Sequence, residues 1–251
     1  MLRRNVLCSG PGLLRRTRPA REGVRSCAAD WGLEMNRNAA WTAGVLVCVC
    51  AGAARAQISV SKHNFTQYNW NTSGEICLPC HTPHGGNWQV GKLWNHQLSS
   101  PTQQYNLYNS GTSHVTSTNV AFDNRTKMCL SCHDGTVAMD NFGGRTNGRT
   151  YMQPGGYYIG TDLRDDHPMG SEAVYDATGT DPSFHPQNAD HQIVSGTTIL
   201  PLSPWSDPND GTTKYVVGCM SCHNPHRTVG ANRLLWVSNR RSQLCLTCHI
   251  K

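Results

Sequence analysis

The residues of this chain best suited to chemistry are cysteines and histidines that recur at one fixed spacing. Of 12 cysteines in 251 residues, eight fall into four C-x-x-C-H motifs. The motifs are Cys77-Leu78-Pro79-Cys80-His81, Cys129-Leu130-Ser131-Cys132-His133, Cys219-Met220-Ser221-Cys222-His223 and Cys245-Leu246-Thr247-Cys248-His249. Two thiols at this spacing can bond to the two vinyl groups on one edge of a porphyrin, and the adjacent imidazole then lies beneath the iron. The motifs therefore predict four covalently bound haem c groups, each with two thioethers and one proximal histidine.

Other uses of paired cysteines explain the pattern less well. A disulfide framework is common in exported proteins, but it gives no reason for a histidine after every second cysteine. Zinc sites also use C-x-x-C pairs, yet four zinc knuckles would not repeat that histidine. A redox-active pair would occur once rather than four times. The four remaining cysteines all precede residue 57: Cys8, Cys27, Cys48 and Cys50.

Each iron also needs a second axial ligand from the protein, commonly histidine or methionine. Of the five methionines after residue 56, Met128 and Met220 lie beside or within motifs and are poorly placed to reach across the same ring. Eight histidines remain for four irons, so bis-histidine coordination is favoured for all four haems. They are His63, His84, His96, His114, His167, His185, His191 and His226.

Two of these histidines follow a motif histidine by three residues. His84 follows His81, and His226 follows His223. Such a tether is too short to pass round the macrocycle to the opposite face of the same haem. Each histidine is expected to serve a neighbouring iron and so to hold two haems in close contact. The alternative is a solvated histidine in a Pro-His turn.

The motifs indicate an internal duplication in the order A, B, A, B. Motifs one and three read CLPCHTPH and CMSCHNPH, whereas motifs two and four read CLSCH and CLTCH. Trp94 lies ten residues beyond His84 and Trp236 lies ten residues beyond His226, each after a leucine. This spacing predicts that the two tryptophans correspond. The long gap between motifs two and three, about 140–205, is interpreted as an insertion.

The first 56 residues differ from the rest and are interpreted as a leader. Residues 35–56 have a short basic region, an apolar run and a small-x-small site ending at Ala56, as in a secretory signal peptide. Residues 1–34 are interpreted as an upstream extension with a mis-assigned start. The formal charge of +6 belongs wholly to this leader, so it gives no argument for a nucleic-acid partner. No transmembrane segment is expected, because no apolar run approaches the roughly 20 residues that a spanning helix needs.

The chain resembles the doubled C-x-x-C-H multihaem cytochromes c of bacteria, including relatives in metal-reducing bacteria that polymerise into extracellular filaments. The resemblance is carried by KHNF at 62–65, EICLPCHTPHG at 75–85, LWNH at 93–96, CLSCHDGTVA at 129–138, GTDLRDDHP at 160–168 and the two C-terminal motifs. It implies that the histidines of KHNF and DDHP are iron ligands. With the two Pro-His histidines, the implied distal ligands are His63, His84, His167 and His226.

The same resemblance bears on which subunit His63 serves. His63 lies seven residues into the expected mature chain, on a segment that is mobile unless it is tied down. In some filament-forming relatives such an arm reaches a haem of the next subunit, and we hypothesise the same for His63. The other histidines are interpreted as surface or supporting residues, and His96 is the strongest remaining ligand candidate among His96, His114, His185 and His191.

The predicted fold is a multihaem cytochrome c that is mostly irregular, with short α-helices at the motifs and little β structure. Periodic apolar runs are absent, while Gly, Asn, Thr, Ser and Pro occur throughout. The haems then supply the buried apolar surface of a single tetrahaem domain, 57–251. Aromatic residues are expected to pack on porphyrin faces: Trp70, Trp88, Trp94, Tyr105 and Tyr108.

The expected function is electron transfer through closely packed haems, not catalysis. The first form is an extracellular or cell-surface conduit that self-associates into a homopolymer and serves redox proteins or extracellular acceptors. The alternative is a monomeric periplasmic shuttle to a terminal reductase. A haem enzyme acting on an oxyanion or hydroxylamine would need an open iron position, which a full set of histidines disfavours.

Overall fold

Short elements joined by long irregular segments carry the four motifs. The computed structural model describes residues 57–91, 93–108, 115–176, 178–226 and 233–251. The four motifs lie in one compact unit, Arg55–Lys251. The upstream extension and signal peptide predicted for residues 1–56 lie outside the described residues. In the described part of the chain, no helix is long and apolar enough to cross a bilayer.

Three α-helices coincide with motifs. They are α1 (Asn124–His133), α2 (Cys219–Cys222) and α3 (Gln243–Cys248). The part of the chain that the structure describes also has five short 3-10 helices: Gln57–Val60, Phe65–Gln67, Asn119–Ala121, Gly170–Ala173 and Arg240–Ser242.

The first motif does not form a helix, so the expectation of a helix at every motif is wrong. It makes a turn in which the peptide N–H groups of Cys80 and His81 both donate to the Cys77 carbonyl, at 3.1 and 2.8 Å. Pro79 explains the difference, because its ring disfavours the α conformation at Leu78 and it has no N–H to donate.

Within the described ranges, six strands form three antiparallel pairs. β1 (Tyr105–Leu107) pairs with β2 (Val115–Ser117), β3 (Gln192–Ser195) with β4 (Thr198–Pro201), and β5 (Ser203–Ser206) with β6 (Thr213–Val216). The prediction of little β structure is therefore wrong. Each strand has only three or four residues, which is too short for an alternating pattern to stand out in the sequence.

Two small hydrophobic clusters hold these elements together. The first joins β1 to α1 and has Leu130, between the cysteines of motif two, at 0% exposure. Its buried members are Tyr105, Leu107, Ala121, Phe122, Leu130 and Leu163. The second joins β3 to the fourth motif, with Cys248 packed against buried Tyr175, Ile193 and Leu202. Motif two thus contributes to the first cluster, and motif four packs against the second.

Candidate haem centres

Helix α1 positions the second motif firmly because its first turn is capped. The Asp123 carboxylate accepts hydrogen bonds from the peptide N–H groups of Arg125 and Thr126, at 2.9 and 3.1 Å. It also accepts a bond from the Thr126 hydroxyl at 2.6 Å. Such a cap pairs N–H groups that have no partner within the helix. The cysteines at 129 and 132 follow one turn later, on one face of the helix.

All eight motif cysteines are free thiols. Burial raises the pKa of the Cys80 thiol to about 11 and that of Cys222 to about 11. Burial likewise raises the pKa of Cys132 and takes that of Cys248 to about 12.

Cysteines of successive motifs lie close together. A hydrogen bond between the Cys129 and Cys219 thiols raises the pKa of Cys129 and lowers that of Cys219, which joins motif two to motif three. The raised pKa of Cys132 includes, after burial, the influence of Cys80 in motif one. The pKa of Cys222 in motif three is raised by burial first, then by Cys219, and then by Cys245 of motif four. These shared electrostatic effects are consistent with the side-chain contact between motifs two and three.

Three motif histidines face a second histidine at a separation that fits a metal between them. The ring centres are 6.0 Å apart for His63 and His133, 6.0 Å for His81 and His226, and 6.4 Å for His167 and His249. With a metal–nitrogen bond of about 2 Å and about 1.1 Å from nitrogen to ring centre, two imidazoles on opposite sides of one metal have centres about 6 Å apart. The observed separations match this value.

Hydrogen bonds at Nδ1 fix the tautomer of three candidate iron ligands, two from the pairs above and one unpaired motif histidine. The carbonyls of Tyr157, Arg233 and Pro168 lie 2.7, 2.8 and 2.8 Å from Nδ1 of His133, His223 and His167 respectively. Because a carbonyl only accepts, each Nδ1 carries the proton and each Nε2 keeps its lone pair. These rings therefore suit the axial positions of an iron porphyrin.

Burial also favours the neutral form of the His63 and His133 imidazoles. It lowers the pKa of His63 to about 4, with a further contribution from the charge of His133. It lowers the pKa of His133, where the Tyr157 carbonyl acts in the opposite direction. Neutral imidazole is the form that binds a metal.

The remaining proximal and distal histidines do not face each other. Among the described residues, His84 and His223 make no ring contact of this kind. His84 is exposed, and its peptide N–H donates to the Thr82 hydroxyl at 3.5 Å.

The remaining histidines have other surroundings. His96 is 2% exposed, with Nδ1 2.7 Å from the Gln97 carbonyl and Nε2 3.5 Å from the Cys132 sulfur. His191 stacks on Tyr215 with ring centres 3.3 Å apart. The His185 peptide N–H donates to the Cys248 carbonyl at 2.9 Å. His114 lies outside the described residues.

The aromatic side chains expected on porphyrin faces divide into different environments. Tyr105 is fully buried, packs edge-on against Phe122 and donates its hydroxyl to Asp134 at 2.6 Å. Trp88 is 86% exposed, whereas Trp94 is 8% exposed. Tyr105 is thus a residue of the protein core, and Trp94 is the buried tryptophan of the first repeat.

The loop after the first motif folds back onto the motif and is held there by three hydrogen bonds. The Thr82 N–H donates to the Leu93 carbonyl at 3.0 Å, and the Asn95 N–H donates to the Cys80 carbonyl at 3.0 Å. The Asn95 side chain then donates to the Leu78 carbonyl, between the two cysteines, at 2.6 Å.

The third motif has the same three bonds with different donors. The Asn224 N–H donates to the Leu234 carbonyl at 2.6 Å, and the Trp236 N–H donates to the Cys222 carbonyl at 3.0 Å. The Trp236 indole donates to the Met220 carbonyl at 2.8 Å. Trp236 therefore occupies the place of Asn95, and the predicted correspondence of Trp94 with Trp236 is wrong. The loop after motif three is one residue shorter than the loop after motif one. The sequence does not reveal this difference, because Trp94 and Trp236 lie equally far from the Pro-His histidines.

These features define the class of protein. C-x-x-C-H motifs whose cysteines form no disulfide indicate covalently bound c-type haem. Residues 214–251 match the family described as doubled CXXCH motif, which supports a multihaem cytochrome c-type family. Comparison with curated proteins gives no match. Covalent haem attachment of this type takes place outside the cytoplasm, and the match indicates haem-binding electron transfer.

Proposed function

We propose that this chain holds four bis-histidine haems and conducts electrons through them. The single observation that carries the proposal is the set of three histidine pairs at 6.0 to 6.4 Å. Each pair combines a motif histidine with one of the four distal ligands that the family resemblance implies. Haem held by these residues would supply an iron that can gain and lose one electron.

The ligand pairs connect different parts of the chain. His226 belongs to the segment of motif three but faces His81 of motif one. By the symmetry of the repeat, we assign His84 to the iron at His223. Motifs one and three would then exchange ligands, and the two haems would lie against each other.

His63 is assigned to the iron at His133 of its own chain. The 6.0 Å separation of their rings supports this pairing, and it needs no ligand from a neighbouring subunit. His167 from the long insertion is assigned to the iron at His249. The insertion thus supplies a ligand as well as β3 and β4.

Neighbouring thiols support a continuous path for electrons. The contact between the side chains of Cys129 and Cys219 supports close attachment edges for the haems of motifs two and three. Fixed imidazoles limit the movement that accompanies a change of oxidation state, and the protein adjusts each potential through burial and hydrogen bonding. The chain acts as a carrier in this proposal.

The proposed setting is an extracellular conduit that polymerises and passes electrons to redox proteins or extracellular acceptors. Its support is the family resemblance; the periplasmic monomeric shuttle is the alternative. Electron microscopy of the secreted fraction separates them, since discrete small particles at high concentration contradict the polymer.

The haem proposal is tested by His226→Ala, with His185→Ala as a matched control. We expect His226→Ala to convert one of four haems from a low-spin bis-histidine signal to a high-spin or newly liganded one in electron paramagnetic resonance spectra. His185→Ala should leave four low-spin signals. An intact mass without porphyrin additions would contradict haem attachment altogether.

A further inference from the structure

The indole of Trp94 carries a buried N–H that has no hydrogen-bond partner. Trp94 is 8% exposed, and among the described residues its Nε1 meets no acceptor. Native structures pair nearly all buried donors, because an unpaired one loses its hydration without compensation. This donor therefore indicates an acceptor that is supplied by a bound group.

The one-residue shift between the repeats explains why this N–H is unpaired. In the third motif, the carbonyl between the cysteines accepts from the Trp236 indole. In the first motif, the matching carbonyl of Leu78 accepts from Asn95. Trp94 lies one position before Asn95, and its equivalent in the loop after motif three is Leu235.

Trp94 lies beside the proximal ligand of the first haem. Its ring centre is 6.0 Å from that of His81, and the two planes are nearly perpendicular at 86°. His81 in turn faces His226 across the proposed iron. On its other side, Trp94 is 6.5 Å from His96. The buried indole of Trp94 thus lies against the proximal ligand of a haem at motif one.

The chemistry of haem c leaves one type of acceptor. The four pyrrole nitrogens bind iron and the vinyl groups are bonded to cysteine, so the oxygens of the two propionate carboxylates remain. We propose that the Trp94 indole donates a hydrogen bond to a propionate of the haem attached at Cys77 and Cys80. This inference rests on the proposed function, since it requires a haem at motif one.

Such a bond makes Trp94 a positioning residue for the first haem. An N–H that points at a carboxylate disperses its negative charge. Without that donor, the carboxylate carries more charge towards the iron and favours the oxidised state. Loss of the indole N–H is therefore expected to lower the midpoint potential of one haem.

The test compares Trp94→Phe with Trp236→Phe in the holoprotein. For Trp94→Phe we expect the reduction equilibrium of one haem to fall about threefold, or about 28 mV at 59 mV per tenfold change. For Trp236→Phe, which removes a bond to a backbone carbonyl, we expect four unchanged potentials. Potentials are read from haem-resolved redox titrations by nuclear magnetic resonance. Four unchanged potentials in Trp94→Phe, at full haem content, would overturn the inference.

A second measurement covers the case in which Trp94→Phe does not load haem. In wild-type holoprotein labelled with ¹⁵N-tryptophan, the Trp94 indole proton should exchange slowly with solvent and show a nuclear Overhauser effect to a propionate methylene. Rapid exchange without that contact would contradict the bond. Haem content by mass spectrometry separates the two proposals: fewer than four haems in wild type counts against the proposed function, and four haems without the contact counts only against Trp94.

Discussion

Motifs two and four share the pattern C-L-[S/T]-C-H, but the chain builds them differently. The motif-two helix α1 has ten residues and the motif-four helix α3 has six. The leucine between the cysteines is 0% exposed at Leu130 and 38% exposed at Leu246. The leucine between the two cysteines thus lies in a hydrophobic cluster in motif two and near the surface in motif four.

Their first turns explain part of the difference. The Asp123 carboxylate caps α1, whereas α3 begins after Arg241 and Ser242, with φ of 54° and 60°, and its N-cap residue makes no side-chain capping bond. Non-glycine residues rarely adopt this left-handed conformation. The comparison teaches that a five-residue motif sets the covalent chemistry, while the surrounding core sets how firmly the motif is held.

The largest expected effect is loss of the thioether bonds at one motif. Replacing Cys129 and Cys132 by alanine removes a haem beside the first hydrophobic cluster and the thiol that contacts Cys219, so we expect no stable holoprotein. Replacing Cys245 and Cys248 should leave a three-haem protein with most of its thermal stability. Intact mass and thermal denaturation check both variants. Equal melting temperatures would show that the two motifs contribute alike.

Next in size is truncation of the motif leucines. Leu130→Ala leaves a cavity in the first cluster and is expected to lower the free energy of unfolding by about 2–5 kcal/mol. Leu246→Ala is the matched control, with an expected change within about 0.5 kcal/mol because much of that side chain already contacts water. Denaturant unfolding of the holoproteins measures both values. A larger loss for Leu246→Ala would reverse the comparison.

Acid should destabilise the fold through His63 before it removes this ligand from the haem of motif two. The pKa of His63 is lowered by burial from 6.5 to about 4, so the folded protein binds fewer protons than the unfolded chain between these values. Stability is therefore highest above pH 6.5, and up to about 3 kcal/mol is lost as the pH falls from 6.5 to about 4. His63 itself keeps its lone pair down to about pH 4, so the low-spin signal of motif two should persist to that pH. Loss of this signal already near pH 6.5 would contradict the prediction.

The smallest effect concerns the helix cap. Asp123→Ala removes the two N–H bonds at the start of α1 and the bond from Thr126, so we expect a loss of about 1–2 kcal/mol. Ser242→Ala removes no capping bond and should change the free energy of unfolding by less than about 0.5 kcal/mol. Thermal or denaturant unfolding measures both. Similar losses would mean that both helices depend on their caps.

The fold could be predicted from the sequence only in part. Helices at motifs two, three and four follow from the residue pattern, and the sparse regular structure follows from composition. The six strands were missed because QIVS and TILP are too short to show a period, and they are stabilised by their cross-strand partners. Motif one forms a turn because Pro79 interrupts it.

The sequence by itself determined where haem is attached, because thioether chemistry needs only two thiols and an imidazole within five consecutive residues. Tertiary structure decided which histidines face each other, since His63 and His133, or His81 and His226, lie far apart along the chain. It also decided that Asn95 rather than Trp94 corresponds to Trp236. Which residue of each loop bonds to the motif depends on the length and path of that loop. Identical residues at equal spacing do not reveal this.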